Sequence, residues 1–155
     1  MTWLELVPAA TVIGGFSTAV AALAIVIGWQ QIRSTVASAR ETDAQQTFND
    51  YIKICLQYPE ISSDEIALKH LGRENFHGIL EEYSAESERY LWFLSFVLHA
   101  SEKILTSGDA AKAWRIKIDG QLSYHKKALR AVWPEWQSHY SAFLQSKVEA
   151  VIEHA

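Results

Sequence analysis

The sequence has a single cysteine, Cys55, among 155 residues. One thiol cannot form a disulfide within the chain, and it cannot complete a zinc site built from cysteines. A lone cysteine is typical of a reducing compartment, and a disulfide between two chains is the alternative that stays open. The sequence therefore excludes a small fold held together by its own disulfides.

Motifs of catalysis and of cofactor binding are also absent. The chain contains no nucleophile elbow, no phosphate-binding loop and no zinc-protease helix motif. His99 and Glu102 resemble half of a carboxylate–histidine metal pair. No second half follows in the sequence, so we predict a hydrogen-bonded core histidine instead. We therefore expect no enzyme activity, no catalytic residue, no cofactor and no metal.

Basic residues are fewer than acidic ones, with 14 Lys and Arg against 18 Asp and Glu and a net charge of -4. This balance argues against general nucleic-acid binding, which needs a basic face. Apolar residues make up 49% of the chain and aromatic residues 12%, too much for a disordered protein. The composition predicts a packed domain.

One stretch near the N-terminus, residues 6–32, carries no ionisable side chain. Within it, residues 7–29 are long enough at 1.5 Å per residue to cross a hydrocarbon core about 30 Å thick. Pro8 suits a first helical turn, and Trp3 and Trp29 lie where indole rings concentrate in bilayers. A cleaved signal peptide would need a positive segment ahead of it, and a buried core helix of this length seldom lacks any charge. The sequence therefore predicts a transmembrane helix.

Basic residues also predict the orientation of that helix. All 14 Lys and Arg follow it, beginning with Arg33 and Arg40, and positive residues concentrate on the cytoplasmic side of membrane helices. We therefore expect a single-pass protein of the bacterial cytoplasmic (inner) membrane, with residues 1–6 outside. Residues 30–47 predict a polar helical stalk, and residues 48–155 predict a cytoplasmic domain.

Small residues recur along the predicted transmembrane helix at alternating steps of four and three. Such residues let helix backbones approach closely in lipid, where no hydrophobic force drives association. The spacing is that of a left-handed packing seam, although Ala and Gly are common in membrane helices for other reasons. The same frame turns polar beyond residue 30, so we expect the contact to lie within the bilayer. The members of this predicted small-residue seam are Ala10, Gly14, Ser17, Ala21, Ala24 and Gly28.

In the first part of the predicted soluble domain, residues 48–83, the sequence predicts two helix boundaries and an irregular stretch. Pro59 ends the stalk helix, because the residue before a proline is pushed out of the helical region. Ser62 or Ser63 is the expected N-cap of a short helix over residues 64–71. Glycines then predict irregular structure up to residue 83.

In the second part of that domain, residues 84–155, the sequence predicts the helices that form the core. Ser84 opens residues 85–105, which are apolar on nearly every face and therefore predict the central core helix. Residues 110–132 predict one further helix, and Pro134 suits the first turn of a last helix ending near Ile152. No strand pattern occurs. The sequence predicts an all-α protein, with one transmembrane helix continuing into a stalk and then a bundle of four or five helices.

Five basic residues share one side of the helix predicted over residues 110–132. They fall within about 120° of one another, opposite the apolar stripe of that helix. Such a face fits anionic lipid, a nucleotide ligand or an acidic partner. A solvated face, or pairing with the acid-rich residues 60–90, are the alternatives. This predicted basic face consists of Lys112, Arg115, Lys126, Lys127 and Arg130.

The order of these features resembles a broad group of small bacterial membrane proteins with one N-terminal span, a polar stalk and a cytoplasmic helical domain. The resemblance covers most of the chain through packing residues. It implies the architecture alone, since the group has no settled activity. The residues that carry it are Tyr58-Pro59-Glu60, Tyr90-Leu91-Trp92-Phe93-Leu94, Leu98-His99-Ala100-Ser101-Glu102 and Ala113-Trp114-Arg115, with Tyr140, Phe143 and Val148.

Two functions fit these features. The first is a non-enzymatic, membrane-anchored interaction module that assembles through its transmembrane helix, as a homo-oligomer or as an accessory subunit of a membrane complex. The second is an effector or sensor whose cytoplasmic domain binds an anionic ligand or partner and controls membrane permeability. The small-residue seam favours the first function, and the basic face favours the second.

Overall fold

The computed structural model describes residues 6–106 and 110–153, and the side chains of residues 23–106 and 114–153. These residues form six α-helices and no strand, which confirms the all-α prediction. The chain divides into two compact units, Met1–Ala39 and Arg40–Ala155. The helices are α1 (Leu6–Gln57), α2 (Asp64–Leu71), α3 (Ala85–Leu105), α4 (Ala110–Tyr124), α5 (Lys126–Trp136) and α6 (Ala142–Glu153).

Local capping residues set the bounds of α2 and α3. Ser63 accepts a hydrogen bond from the Ile66 amide at 3.4 Å, and Ser84 accepts one from the Ser87 amide at 3.1 Å. These bonds satisfy amides that a helix start otherwise leaves free. The predicted bounds of both helices, residues 64–71 and 85–105, are confirmed. Their starts could be predicted because each capping serine lies next to its helix in the sequence.

The single helix predicted over residues 110–132 is wrong, because α4 and α5 meet at a break at His125. The His125 amide donates to the Leu122 carbonyl at 3.1 Å, which closes the end of α4 with a tighter turn. The Lys127 amide, in the first turn of α5, then donates to the Asp64 carboxylate at 2.7 Å. A side chain of α2 thus caps the new helix.

The predicted start of the last helix at Pro134 is also wrong, since Pro134 lies inside α5 and α6 begins at Ala142. A proline in a helix removes one backbone hydrogen bond. The apolar face of α5 continues around it, however, and Leu129, Val132 and Trp133 are all buried. Packing of these side chains keeps Pro134 within the helix.

The core of the second unit is centred on α3. Its buried face includes Tyr90, Leu94 and Leu98, each 0% exposed, which confirms α3 as a core helix. Trp92 is nevertheless 75% exposed, so the helix has a solvent side and is not buried all round. Aromatic rings connect α3 to its neighbours through the ring pairs Tyr51–Phe93 and Phe76–Tyr90, at centroid distances of 5.8 and 5.2 Å.

Candidate functional site

Large apolar side chains of α1 are exposed in the first unit. Leu23, Ile25, Val26 and Ile27 are between 47% and 73% exposed. At 100° per residue they are spread around the helix, so α1 has no polar side here. Helices that are apolar all round belong in a protein core or in a bilayer. Residues 23–27, hereafter the exposed apolar segment, therefore form the main candidate interaction surface of this unit.

From Trp29 onward the apolar side chains of α1 keep to one side. Trp29, Ile32 and Val36 are exposed and lie within about 60° of one another around the helix. Arg33 follows Trp29 by one turn, and its guanidinium carbon lies 5.3 Å from the centre of the indole ring. We name these four residues the Trp29 stripe. The pattern of α1 thus changes at Trp29 from apolar all round to apolar on one side.

The small-residue seam is only partly within the side chains that the structure describes. Ala24 is exposed, Gly28 is half-exposed, and a Cβ built on Gly28 would meet nothing within 4 Å. This open space leaves room for another helix to approach.

Among the described residues, no helix is both long and apolar enough to cross a membrane. Most of the predicted span, residues 7–29, lies outside the residues with described side chains, and so do Ala10, Gly14, Ser17 and Ala21.

The predicted basic face is divided between α4 and α5 by the break at His125. Arg115 lies over the Phe143 ring, 5.8 Å from its centroid. The Lys127 ammonium lies 3.4 Å from the Glu65 carboxylate, and the Arg130 guanidinium donates to a backbone carbonyl of α6 at 2.7 Å. Lys126 is half-buried, and the side chain of Lys112 lies outside the described residues. Three of the five basic residues therefore contact other parts of the chain, and binding of an anionic ligand stays a prediction.

His99 and Glu102 lie at the surface of α3 and not in the core, so the prediction of a core histidine is wrong. His99 is exposed, and its Nδ1 lies 2.8 Å from the Ser95 carbonyl. Glu102 accepts a hydrogen bond from the Ser141 amide at 2.6 Å. Each side chain thus satisfies backbone groups of the fold. In the part of the chain that the structure describes, no three His, Cys, Asp or Glu side chains group as metal ligands.

Cys55 lines a cleft of about 630 Å³ between α1, the start of α2 and the end of α4. Burial raises the pKa of the Cys55 thiol, so the thiol stays protonated and is a poor nucleophile. Asp64 lines the same cleft, and burial raises its pKa as well, against the opposing effect of the Lys127 amide that it accepts. The volume suits a small molecule, but packing accounts for the Cys55 thiol and capping accounts for the Asp64 carboxylate.

His125 is a buried polar residue that was not predicted from the sequence. It is 0% exposed, and its Nδ1 lies 3.1 Å from the Tyr90 hydroxyl. Its Nε2 has no hydrogen-bond partner within the described residues, and burial lowers the pKa of the ring to about 4. A signal existed, because His125 follows Ile118 by seven residues and so falls on the apolar stripe of the predicted helix.

Comparison with known proteins gives no family for the chain. No family model matches the sequence, and no curated protein or solved structure is significantly similar to it. The resemblance to small single-span membrane proteins therefore stays a prediction. What the chain does has to be inferred from its own surfaces.

Proposed function

We propose that the chain is a membrane-anchored helical interaction module that assembles through its N-terminal helix. Residues 7–29 cross the bacterial cytoplasmic membrane, with residues 1–6 outside. Residues 30–47 form the stalk, and residues 48–155 form a cytoplasmic domain without a catalytic role. The partner is a further copy of the chain or another subunit of a membrane complex.

The exposed apolar segment is the observation that carries this proposal. Leaving a Leu, Ile or Val side chain in water costs about 1.5–3 kcal/mol relative to burying it. Leu23, Ile25, Val26 and Ile27 are all exposed, and they are distributed around the helix. One protein partner would cover one side of such a segment, whereas lipid covers every side at once. Lipid is therefore the surrounding that the segment fits best.

The small-residue seam supports assembly within the membrane. Ala24 and Gly28 place no bulk on their side of α1, and the space beside Gly28 is open. In lipid, where helices associate by close packing, such a side is the preferred contact. We therefore expect the detergent-solubilised protein to contain more than one 17.5 kDa chain, or one chain with a second membrane subunit.

A bulky residue in the seam tests the assembly. We expect Ala24→Ile to lower the mass of the detergent-solubilised species by at least one partner, because the added side chain keeps the helices apart. Ala22→Ile adds the same atoms about 160° away around α1, and this matched control should leave the mass unchanged. Light scattering coupled to size-exclusion chromatography measures both. An unchanged mass for Ala24→Ile would show that the seam is not the contact.

A further inference from the structure

We propose that the Trp29 stripe binds anionic phospholipid at the cytoplasmic surface of the bilayer, with Arg33 contacting the lipid phosphate. This inference rests on the proposed function, because it requires α1 to cross the membrane. It adds the chemical class of lipid, the contact residue and the depth at which α1 leaves the hydrocarbon.

The order of side chains along α1 follows the layers of a bilayer. In the exposed apolar segment, α1 is apolar on every side, as hydrocarbon requires. Trp29 comes next, and indole rings concentrate at the boundary between hydrocarbon and headgroups. Arg33 lies about 6 Å further along the helix, which matches the thickness of one headgroup layer. This order places Arg33 at the level of the phosphates.

The Arg33 side chain is exposed, and it lies beside an aromatic ring. Its guanidinium carbon lies over the Trp29 ring, 5.3 Å from the ring centre, and within the described residues the side chain forms no ion pair with a carboxylate. A guanidinium that lies beside an aromatic ring still has N–H groups that can donate to an oxyanion. Residues 6–32 contain no acidic side chain, so this stretch of α1 offers Arg33 no carboxylate of its own.

Like charges argue against a second copy of the chain as the occupant of this stripe. Two parallel helices that met through the Trp29 stripe would bring their Arg33 side chains together, and such repulsion disfavours pairing. Arg33 also lies about 140° around α1 from Gly28. Assembly through the small-residue seam therefore leaves Arg33 facing lipid. Anionic headgroups complement its charge, and zwitterionic headgroups do so less.

Lipid retention by the 155-residue chain tests the inference. The protein is reconstituted into vesicles of phosphatidylcholine alone or of equal parts phosphatidylcholine and phosphatidylglycerol, then solubilised, and its retained lipid is identified by native mass spectrometry. We expect about a fivefold preference for phosphatidylglycerol, the usual effect of one basic residue at an anionic membrane surface. Arg33→Gln should abolish the preference, and Arg33→Lys should restore part of it.

Arg40→Gln is the matched control, since it makes the same change seven residues further along the sequence. It should keep the preference, and an equal loss in both variants would overturn the assignment to Arg33. A disulfide formed by Val36→Cys in a Cys55→Ser background would show that a second chain covers the stripe, which would also overturn the inference. Entry into vesicles without any preference for phosphatidylglycerol refutes this inference alone. Failure to enter either vesicle refutes the proposed function as well.

Discussion

Asp64 is the residue through which two helix starts are joined. It is the first residue of α2, and its buried carboxylate accepts the Lys127 amide in the first turn of α5. Both helices place their positive N-terminal ends near this carboxylate, which offsets part of the cost of burying its charge. A helix junction far from Asp64 in sequence therefore depends on one side chain.

We expect Asp64→Ala to lower the free energy of unfolding by about 1–2 kcal/mol, the usual effect of losing a helix cap. Asp64→Asn should cost less, because its amide oxygen still accepts the Lys127 amide. Urea unfolding followed by circular dichroism measures each value. Glu65→Ala, which removes an exposed neighbouring carboxylate, is the control and should change the value by less than about 0.5 kcal/mol. Equal effects at both positions would contradict the capping role.

His125 makes the stability of the domain depend on pH. Its pKa is about 4 in the fold, against 6.5 for an exposed histidine. In the unfolded chain His125 therefore binds a proton near pH 6.5, whereas in the folded chain it binds one only near pH 4. The contribution of neutral His125 is fully present above pH 6.5 and is lost as the pH falls towards 4. Between pH 7 and pH 5 we expect a loss of about 2 kcal/mol in the free energy of unfolding.

The variant His125→Phe separates this effect from other titrations. It keeps a ring in the core and removes the proton-binding group, so its pH dependence between pH 7 and pH 5 should be about 2 kcal/mol smaller. The raised pKa of Asp64 acts in the opposite direction, since it favours the fold as the pH falls, and it affects both proteins alike. The same pH dependence in the wild type and in His125→Phe would contradict the account of His125.

The helix α3 is apolar by sequence and still has a side that faces solvent. Leu98 is 0% exposed and Trp92 is 75% exposed on the same helix. We expect Leu98→Ala to lower the free energy of unfolding by about 2–5 kcal/mol through loss of burial and a cavity. Trp92→Ala, although it removes more atoms, should lower it by less than about 1 kcal/mol. Urea unfolding measures both, and a larger loss for Trp92→Ala would contradict the orientation of α3.

The helix boundaries that the sequence predicts are those with local causes. Ser63 and Ser84 lie beside the helices that they cap, so α2 and α3 could be assigned from neighbouring residues alone. The break at His125 could not, because its cap, Asp64, comes from another helix. The sequence predicted a helix start at Pro134 for a similar reason. Tertiary packing of α5 overrides the local preference of proline for a first helical turn.

The candidate surfaces of the molecule differ in how far the sequence could predict them. Absence of charge marks residues 6–32 directly, so the exposed apolar segment follows from composition. The basic face depended on α4 and α5 being one helix, and the break at His125 divides it. The Trp29 stripe required the contact between Arg33 and Trp29, which spacing suggests but does not establish.

Those surfaces belong to two units that we expect to do different work. The exposed apolar segment and the Trp29 stripe lie in Met1–Ala39, whereas the packed core lies in Arg40–Ala155. In the proposed function, the first unit meets lipid and a partner helix, and the second provides a stable domain in the cytoplasm. In that function, residues 7–29 place a membrane between residues 1–6 and residues 30–155.

Site-specific labelling on either side of residues 7–29 tests whether a membrane lies between them. In a Cys55→Ser background, the variants Thr2→Cys and Ser146→Cys each carry one thiol, and residue 146 is exposed in the fold. Spheroplasts that produce each variant are treated with a maleimide that cannot cross membranes. We predict labelling of Thr2→Cys in intact spheroplasts, and labelling of Ser146→Cys only after lysis. Labelling of Ser146→Cys before lysis, or of neither variant until lysis, would contradict the account.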